Sequence, residues 1–124
     1  MARILITLAL AAGTLATSPA IAGDAKAGQT VFKAKCAMCH GVAANSPAGI
    51  GPRLFKVMGR KAGTLPGFTY SAAMKASGLT WNADTLSLYL ANPQKAVRGN
   101  RMPFAGLPSA ADRDNIAAYL ATLR

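Results

Sequence analysis

Histidine, cysteine and acidic residues are all scarce in this chain: one His, two Cys and four Asp plus Glu among 124 residues. Each scarcity excludes something. With one histidine and four acids there is little material for general acid–base catalysis, which needs at least one positioned and tuned titratable pair. Two cysteines, at positions 36 and 39, are too close in sequence to staple distant segments together, although a local disulfide is the plainest use of two cysteines in an exported chain. A zinc site built on them lacks two further ligands, because no other Cys or His exists. Aromatics are few, and the basic residues are scattered with no run of five or more, which removes the usual platform for nucleic acid. The first apolar run, Ile4 to Ala16, is shorter than the roughly 20 residues a membrane-spanning helix requires.

What is present begins with a leader. Arg3 gives a positive start, the apolar run follows, and Ala20-Ile21-Ala22 supplies the small residues of a signal-peptidase site. This pattern predicts cleavage after Ala22, with residues 1–22 as secretory signal, 23–124 as one mature domain, and export to the periplasm. The formal net charge of +10 loses one unit with Arg3 and still leaves a strongly basic domain. Such an excess suits a partner with an acidic face, since opposite potentials steer encounter. A domain this small also tends to need a staple beyond its own core, and a buried cofactor can serve.

The cysteines carry the chemistry. Cys36-Ala37-Met38-Cys39-His40 is a C-x-x-C-H sequence. A C-x-x-C pair alone also fits a redox dithiol, but that normally ends a strand in a βαβ unit, and no strand pattern precedes Cys36. C-x-x-C-H is the attachment signature of a c-type haem. Two intervening residues let each thiol add across one porphyrin vinyl group, and the next residue then lies under the iron, where His40 can ligate it. Two cysteines imply one haem, and a lone histidine leaves the sixth position to another residue type. Methionine suits electron transfer there. Met58, Met74 and Met102 are the candidates. Met58 and Met74 lie in short segments where packing explains them. Met102 lies in a stretch rich in Gly and Pro, Arg98-Gly99-Asn100-Arg101-Met102-Pro103-Phe104, which reads as a loop with no helix core to fill.

The periodicity predicts an all-α protein. A first helix runs from Asp24 to Lys35, with Asp24 as its cap and Gly28, Val31, Phe32 and Lys35 on one face. A middle helix covers Ala83 to Ala91 with Leu86, Tyr89 and Leu90 inward, Asn82 as cap and Pro93 just past its end. The last runs from Ala110 to Leu123, with Ser109 and Asp112 placed as in a capping box. Ser71 to Ala76 is a fourth, short helix. Gly41 to Gly67 is rich in Gly and Pro and predicts a long irregular connection, of a kind that makes sense when packed on a cofactor.

Across Asp24 to Leu123 the chain resembles class I cytochromes c, in particular the mitochondrial cytochrome c and bacterial cytochrome c2 group. The resemblance is carried by Gly28-x-x-x-Phe32, Cys36-x-x-Cys39-His40, Gly51-Pro52-x-Leu54 and Gly59-Arg60-Lys61-x-Gly63. It continues through Pro66-Gly67-Phe68-Thr69-Tyr70, Trp81, Asp84-Thr85-Leu86-x-x-Tyr89-Leu90-x-Asn92-Pro93 and Met102-x-Phe104-x-Gly106. It implies three main helices, short helices and long loops around one haem, with the terminal helices crossing where Gly28 and Phe32 meet Tyr119 and Leu120. It implies iron ligation by His40 and Met102 and covalent attachment through Cys36 and Cys39. The Pro52 carbonyl would accept from His40, Arg60, Tyr70 and Trp81 would hold a haem propionate, and Tyr89 would donate to the Met102 sulfur. Three residues depart from the pattern: Asn100 where relatives usually have Thr, Met74 where they often have Asn, and Arg98 in place of a common Pro. Met74 is expected to make the pocket less polar.

The function the resemblance implies is that of a non-enzymatic carrier of single electrons through the haem edge near Cys36, Cys39 and Phe104. Lys35, Lys95, Arg98 and Arg101 would ring that edge. Implied partners are a donor like the cytochrome bc1 complex and an oxidase or photosynthetic reaction centre as acceptor, met by a free monomer that is not inserted in the membrane after signal cleavage. Two other readings stand beside this one: an electron-entry subunit of a larger oxidoreductase, and a haem enzyme or sensor with an open iron site.

Overall fold

A computed structural model describes residues 13–15 and 22–124. Apart from residues 13–15 and 22, the expected signal segment lies outside the described residues. Among the described residues five helices follow one another: α1 Ala25–Lys35, α2 Ala72–Ala76, α3 Ala83–Ala91, α4 Pro93–Ala96 and α5 Ala110–Ala121. No strand occurs among the described residues, and a single antiparallel bridge joins Lys61 to Thr80. None of these helices is long and apolar enough to cross a membrane.

The helix starts follow local chemistry. The Asp24 carboxylate accepts from the Lys26 and Ala27 amides, answering two of the donors that a helix start leaves free. Asn82 and Thr85 form a reciprocal capping box on α3. Ser109 accepts from the Asp112 amide at the start of α5, which is half of such a box. The sequence reading stops at Pro93 and so misses α4. Asn92 ends α3 in extended backbone and caps the next helix through the Lys95 amide at 3.0 Å. Proline then occupies the first helical position, where its missing N–H costs nothing. At the other end, α5 closes at Ala121, two residues before the expected Leu123, with Thr122 as its cap.

The core is built where α1 crosses α5 and α5 packs on α3. Gly28 and Phe32 are the buried residues of α1, and Ile116, Ala117, Tyr119 and Leu120 those of α5. The Phe32 and Tyr119 rings meet at 5.4 Å between centroids, tilted by 55°. At Gly28 a Cβ would run into the Asn115 backbone carbonyl, so only glycine permits this separation of the helices. The 41–67 connection is irregular as expected. It is tied down by scattered backbone bonds, such as Leu54 N–H to Gly41 O at 2.8 Å and Lys56 N–H to Leu123 O at 2.9 Å. These ties leave one large hollow between the connection, the helices and the 98–106 loop.

Candidate cofactor site

The site starts where α1 stops. Cys36, its C-cap, has left helical backbone (φ −126°, ψ −31°). The chain turns immediately: the Cys39 and His40 amides both donate to the Cys36 carbonyl, at 3.1 and 3.0 Å. That turn brings Cys36, Cys39 and His40 to the wall of one cavity of about 430 Å³. Both thiols are half-buried and unpaired, so the disulfide alternative is not formed. Burial, reinforced by the neighbouring Cys39, pushes the Cys36 thiol up to about 11. That is the direction opposite to the lowered thiol of a redox dithiol. Among the described residues no cluster of three or more His, Cys, Asp or Glu could hold a bare metal ion.

His40 is held by the 49–54 loop. Its Nδ1 lies 2.7 Å from the Pro52 carbonyl oxygen. An N–H donated there fixes the tautomer and leaves the Nε2 lone pair free. Burial lowers the His40 pKa against the opposing pull of the Pro52 bond, which favours the neutral, ligating imidazole. Gly51 sits against the ring: a Cβ there would lie 2.5 Å from His40 Cε1 and 2.8 Å from Nδ1. The Gly51 amide donates to the Cys39 carbonyl at 2.9 Å, which ties this loop to the attachment segment.

Met102 and Phe104 bring the 98–106 loop to the same cavity, and Tyr89 reaches it from α3. The Tyr89 hydroxyl, with one proton to give, lies 3.8 Å from Met102 Sδ and 3.4 Å from Asn100 Oδ1 and shares its donation between them. Burial pushes Tyr89 up to about 12, so it remains a donor at neutral pH. Met74 is buried on α2 and also lines the cavity, whereas Met58 is half-buried against the core and does not. Arg60, Tyr70 and Trp81 are all on the wall. Arg60 donates to the Arg53 and Phe55 carbonyls at 3.1 and 3.3 Å, which uses only part of its donor set. Trp81 packs on Tyr89 at 5.1 Å between ring centroids. Lys35 and Arg101 are exposed at the cavity's border; Lys95 and Arg98 are exposed but lie outside the lining. Sequence reasoning missed what Asn100 and Gly51 do. Asn100 carries only the signal of an ordinary turn residue, and the close approach at Gly51 becomes visible only once His40 is placed.

These residues fit a c-type haem. The volume lies in the range of cofactor pockets, roughly 300–1,000 Å³. Most of the lining is apolar, as a porphyrin face requires. Two thiols stand beside an imidazole for attachment and ligation, a thioether is available as a further soft ligand, and Arg60, Tyr70 and Trp81 provide donors for a buried carboxylate.

Comparison with known proteins agrees with this chemistry. Residues 25–124 match the cytochrome c family model. The chain is 52% identical over 103 residues to cytochrome c2 of Rhodoblastus acidophilus, covering 83% of this chain and 95% of that protein. It is 46% identical over 122 residues to cytochrome c2 of Rhodomicrobium vannielii, covering 98% and 97%. It is also 46% identical over 98 residues to cytochrome c of Gibberella zeae, covering 79% and 92%.

Proposed function

The chain belongs to the cytochrome c family and is a monohaem, single-electron carrier with that family's all-α fold, and from that premise we propose that His40 and Met102 are the two protein ligands of its iron. One observation carries the reading. His40 turns Nδ1 to a carbonyl, and so keeps Nε2 for a metal, on the wall of a cavity that also holds both cysteines and a loop methionine. When bound through Cys36 and Cys39, the haem supplies a one-electron redox centre.

The chain's own residues set how that centre behaves. Pro52 holds the His40 ring and, by taking its Nδ1 proton in a hydrogen bond, makes Nε2 a stronger donor. Tyr89 keeps the Met102 thioether turned inward and withdraws some of its electron density. The apolar wall excludes water, which favours the less charged form of the site. Arg60, Tyr70 and Trp81 bind a carboxylate that would otherwise oppose that effect. With both protein ligands in place there is no open position for a substrate, in keeping with a carrier rather than an enzyme.

The remaining parts of the reading concern where and with whom the protein works. Residues 1–22 are a signal cleaved after Ala22, and the mature protein is a free periplasmic monomer. It docks weakly and fast on acidic faces of redox complexes through Lys35 and Arg101, with Lys95 and Arg98 further out. The donor is of the cytochrome bc1 class and the acceptor an oxidase or photosynthetic reaction centre. Carbon monoxide tests the closed site. Reduced wild-type protein at neutral pH is expected to keep its Soret spectrum under the gas, while Met102→Ala forms an adduct. Ready binding by the wild type would overturn the ligand assignment.

A further inference from the structure

Asn100 is the one buried polar side chain among the described residues, 6% exposed, and it stands two positions before Met102. Its amide nitrogen donates to the Pro93 and Val97 carbonyls, both at 2.9 Å, at the two ends of α4. Its amide oxygen accepts from the Met102 backbone N–H at 2.9 Å and from the Tyr89 hydroxyl at 3.4 Å. These partners fix the side chain's orientation, because a flipped amide would face carbonyl oxygen with oxygen and N–H with NH₂. Both donors are thereby used inside the protein, and the oxygen takes the Met102 N–H and a share of the one Tyr89 proton. Asn100 borders the cavity but has nothing left to offer it.

A second side chain grips the same segment from outside. The exposed Gln94, on α4, donates from Nε2 to the Asn100 carbonyl at 2.9 Å and accepts from the Gly99 amide at 3.4 Å. The neighbouring loop residues Arg98, Gly99, Arg101 and Pro103 are all exposed and bury little apolar surface that could fix the loop by packing. Met102 and Phe104 pack against the core, Arg101 donates to the Thr69 carbonyl at 2.9 Å, and most of the loop's other polar ties pass through Asn100.

We propose that Asn100, gripped by Gln94, is the positioning residue of the Met102 loop, and that the strength of this amide clip decides how often Met102 leaves the iron. The proposal rests on Met102 being a ligand. It gives the unusual Asn at this position a task of its own: it adds a second donor to the Pro93 and Val97 carbonyls, which already accept backbone N–H groups, and takes the Met102 amide as well, which a hydroxyl side chain cannot do with one donor and one short arm.

Exogenous imidazole is the probe, since it competes for the iron only while the loop is open and its apparent affinity rises with the open fraction. Each net hydrogen bond lost shifts such an equilibrium roughly two- to tenfold. Ferric Gln94→Ala is expected to bind imidazole a few-fold more tightly than wild type. Asn100→Ala is expected to bind it about ten- to a hundredfold more tightly, with a weakened methionine-to-iron charge-transfer band. Asn115→Ala is the control. It removes the bond from the Asp24 amide to Asn115 Oδ1 at 2.8 Å, far from the loop, and should lower the unfolding midpoint without moving imidazole affinity. Because Gln94 is exposed, its variant folds even if Asn100→Ala does not. If wild type shows the band and both loop variants bind imidazole as it does, the clip is overturned while the ligand assignment stands. If wild type itself lacks the band, the ligand assignment fails and the clip fails with it.

Discussion

Replacing Gly28 with alanine tests the packing that everything else hangs on. In an ordinary exposed helix position this change stabilises by about 1 kcal/mol, because alanine has the better helix propensity. Here the new methyl would run into the Asn115 carbonyl carbon and oxygen and lie 3.0 Å from the Ile116 nitrogen. All three are backbone atoms of α5, so no rotamer change relieves the overlap and the two helices must separate. Separation loosens the Phe32–Tyr119 contact and uncovers Ile116, now 2% exposed. Overpacking of a tight core costs about 1–3 kcal/mol, and a backbone clash belongs at or above the top of that range. Set against the gain in propensity, the net loss is about 2 kcal/mol. For a domain of this size that lowers the melting temperature by roughly 8–16 °C. Thermal unfolding of the holoprotein, followed by far-ultraviolet circular dichroism, reads it directly. A variant that melts at or above the wild-type temperature would refute the close crossing of α1 and α5.

Three further outcomes follow from the site. Gly51→Ala puts a methyl 2.5 Å from His40 Cε1; the ring must tilt and weaken its Pro52 bond, so the visible spectrum should show a mixed-spin fraction absent from wild type. Tyr89→Phe removes the donor to the Met102 sulfur. One net hydrogen bond corresponds to a fall in midpoint potential on the order of 20–60 mV, measurable by spectroelectrochemical titration. Lys35→Glu and Arg101→Glu should each slow reduction by an acidic-faced partner several-fold at low ionic strength and converge on the wild-type rate in high salt; equal rates at low salt would count against the basic docking face.

The sequence was most legible where a local rule governs. Asp24, Asn82 and Ser109 cap the helices they were expected to cap, because a short polar side chain before an apolar periodic run has few other uses. α4 was hidden because Pro93 marks both an end and a beginning, and four residues are too few to show a period. The 41–67 connection could be recognised as irregular but not placed, since its course depends on long-range backbone bonds such as Lys56 to Leu123. The attachment motif was plain because the chemistry demands contiguous residues. The departure at Asn100 was visible as a departure only. Its four partners come from α3, α4 and the loop itself, and no sequence rule joins Pro93, Val97, Tyr89 and Met102 around one amide.

The proposed ligation by His40 and Met102 would leave the iron no open position. The absorption spectrum of the purified ferric protein, recorded beside Met102→Ala, tests it most directly. The wild-type spectrum is expected to be low-spin with the methionine-to-iron charge-transfer band, and the variant to lose that band while keeping its covalent haem. A wild-type protein without the band, or a band that survives in Met102→Ala, would contradict it.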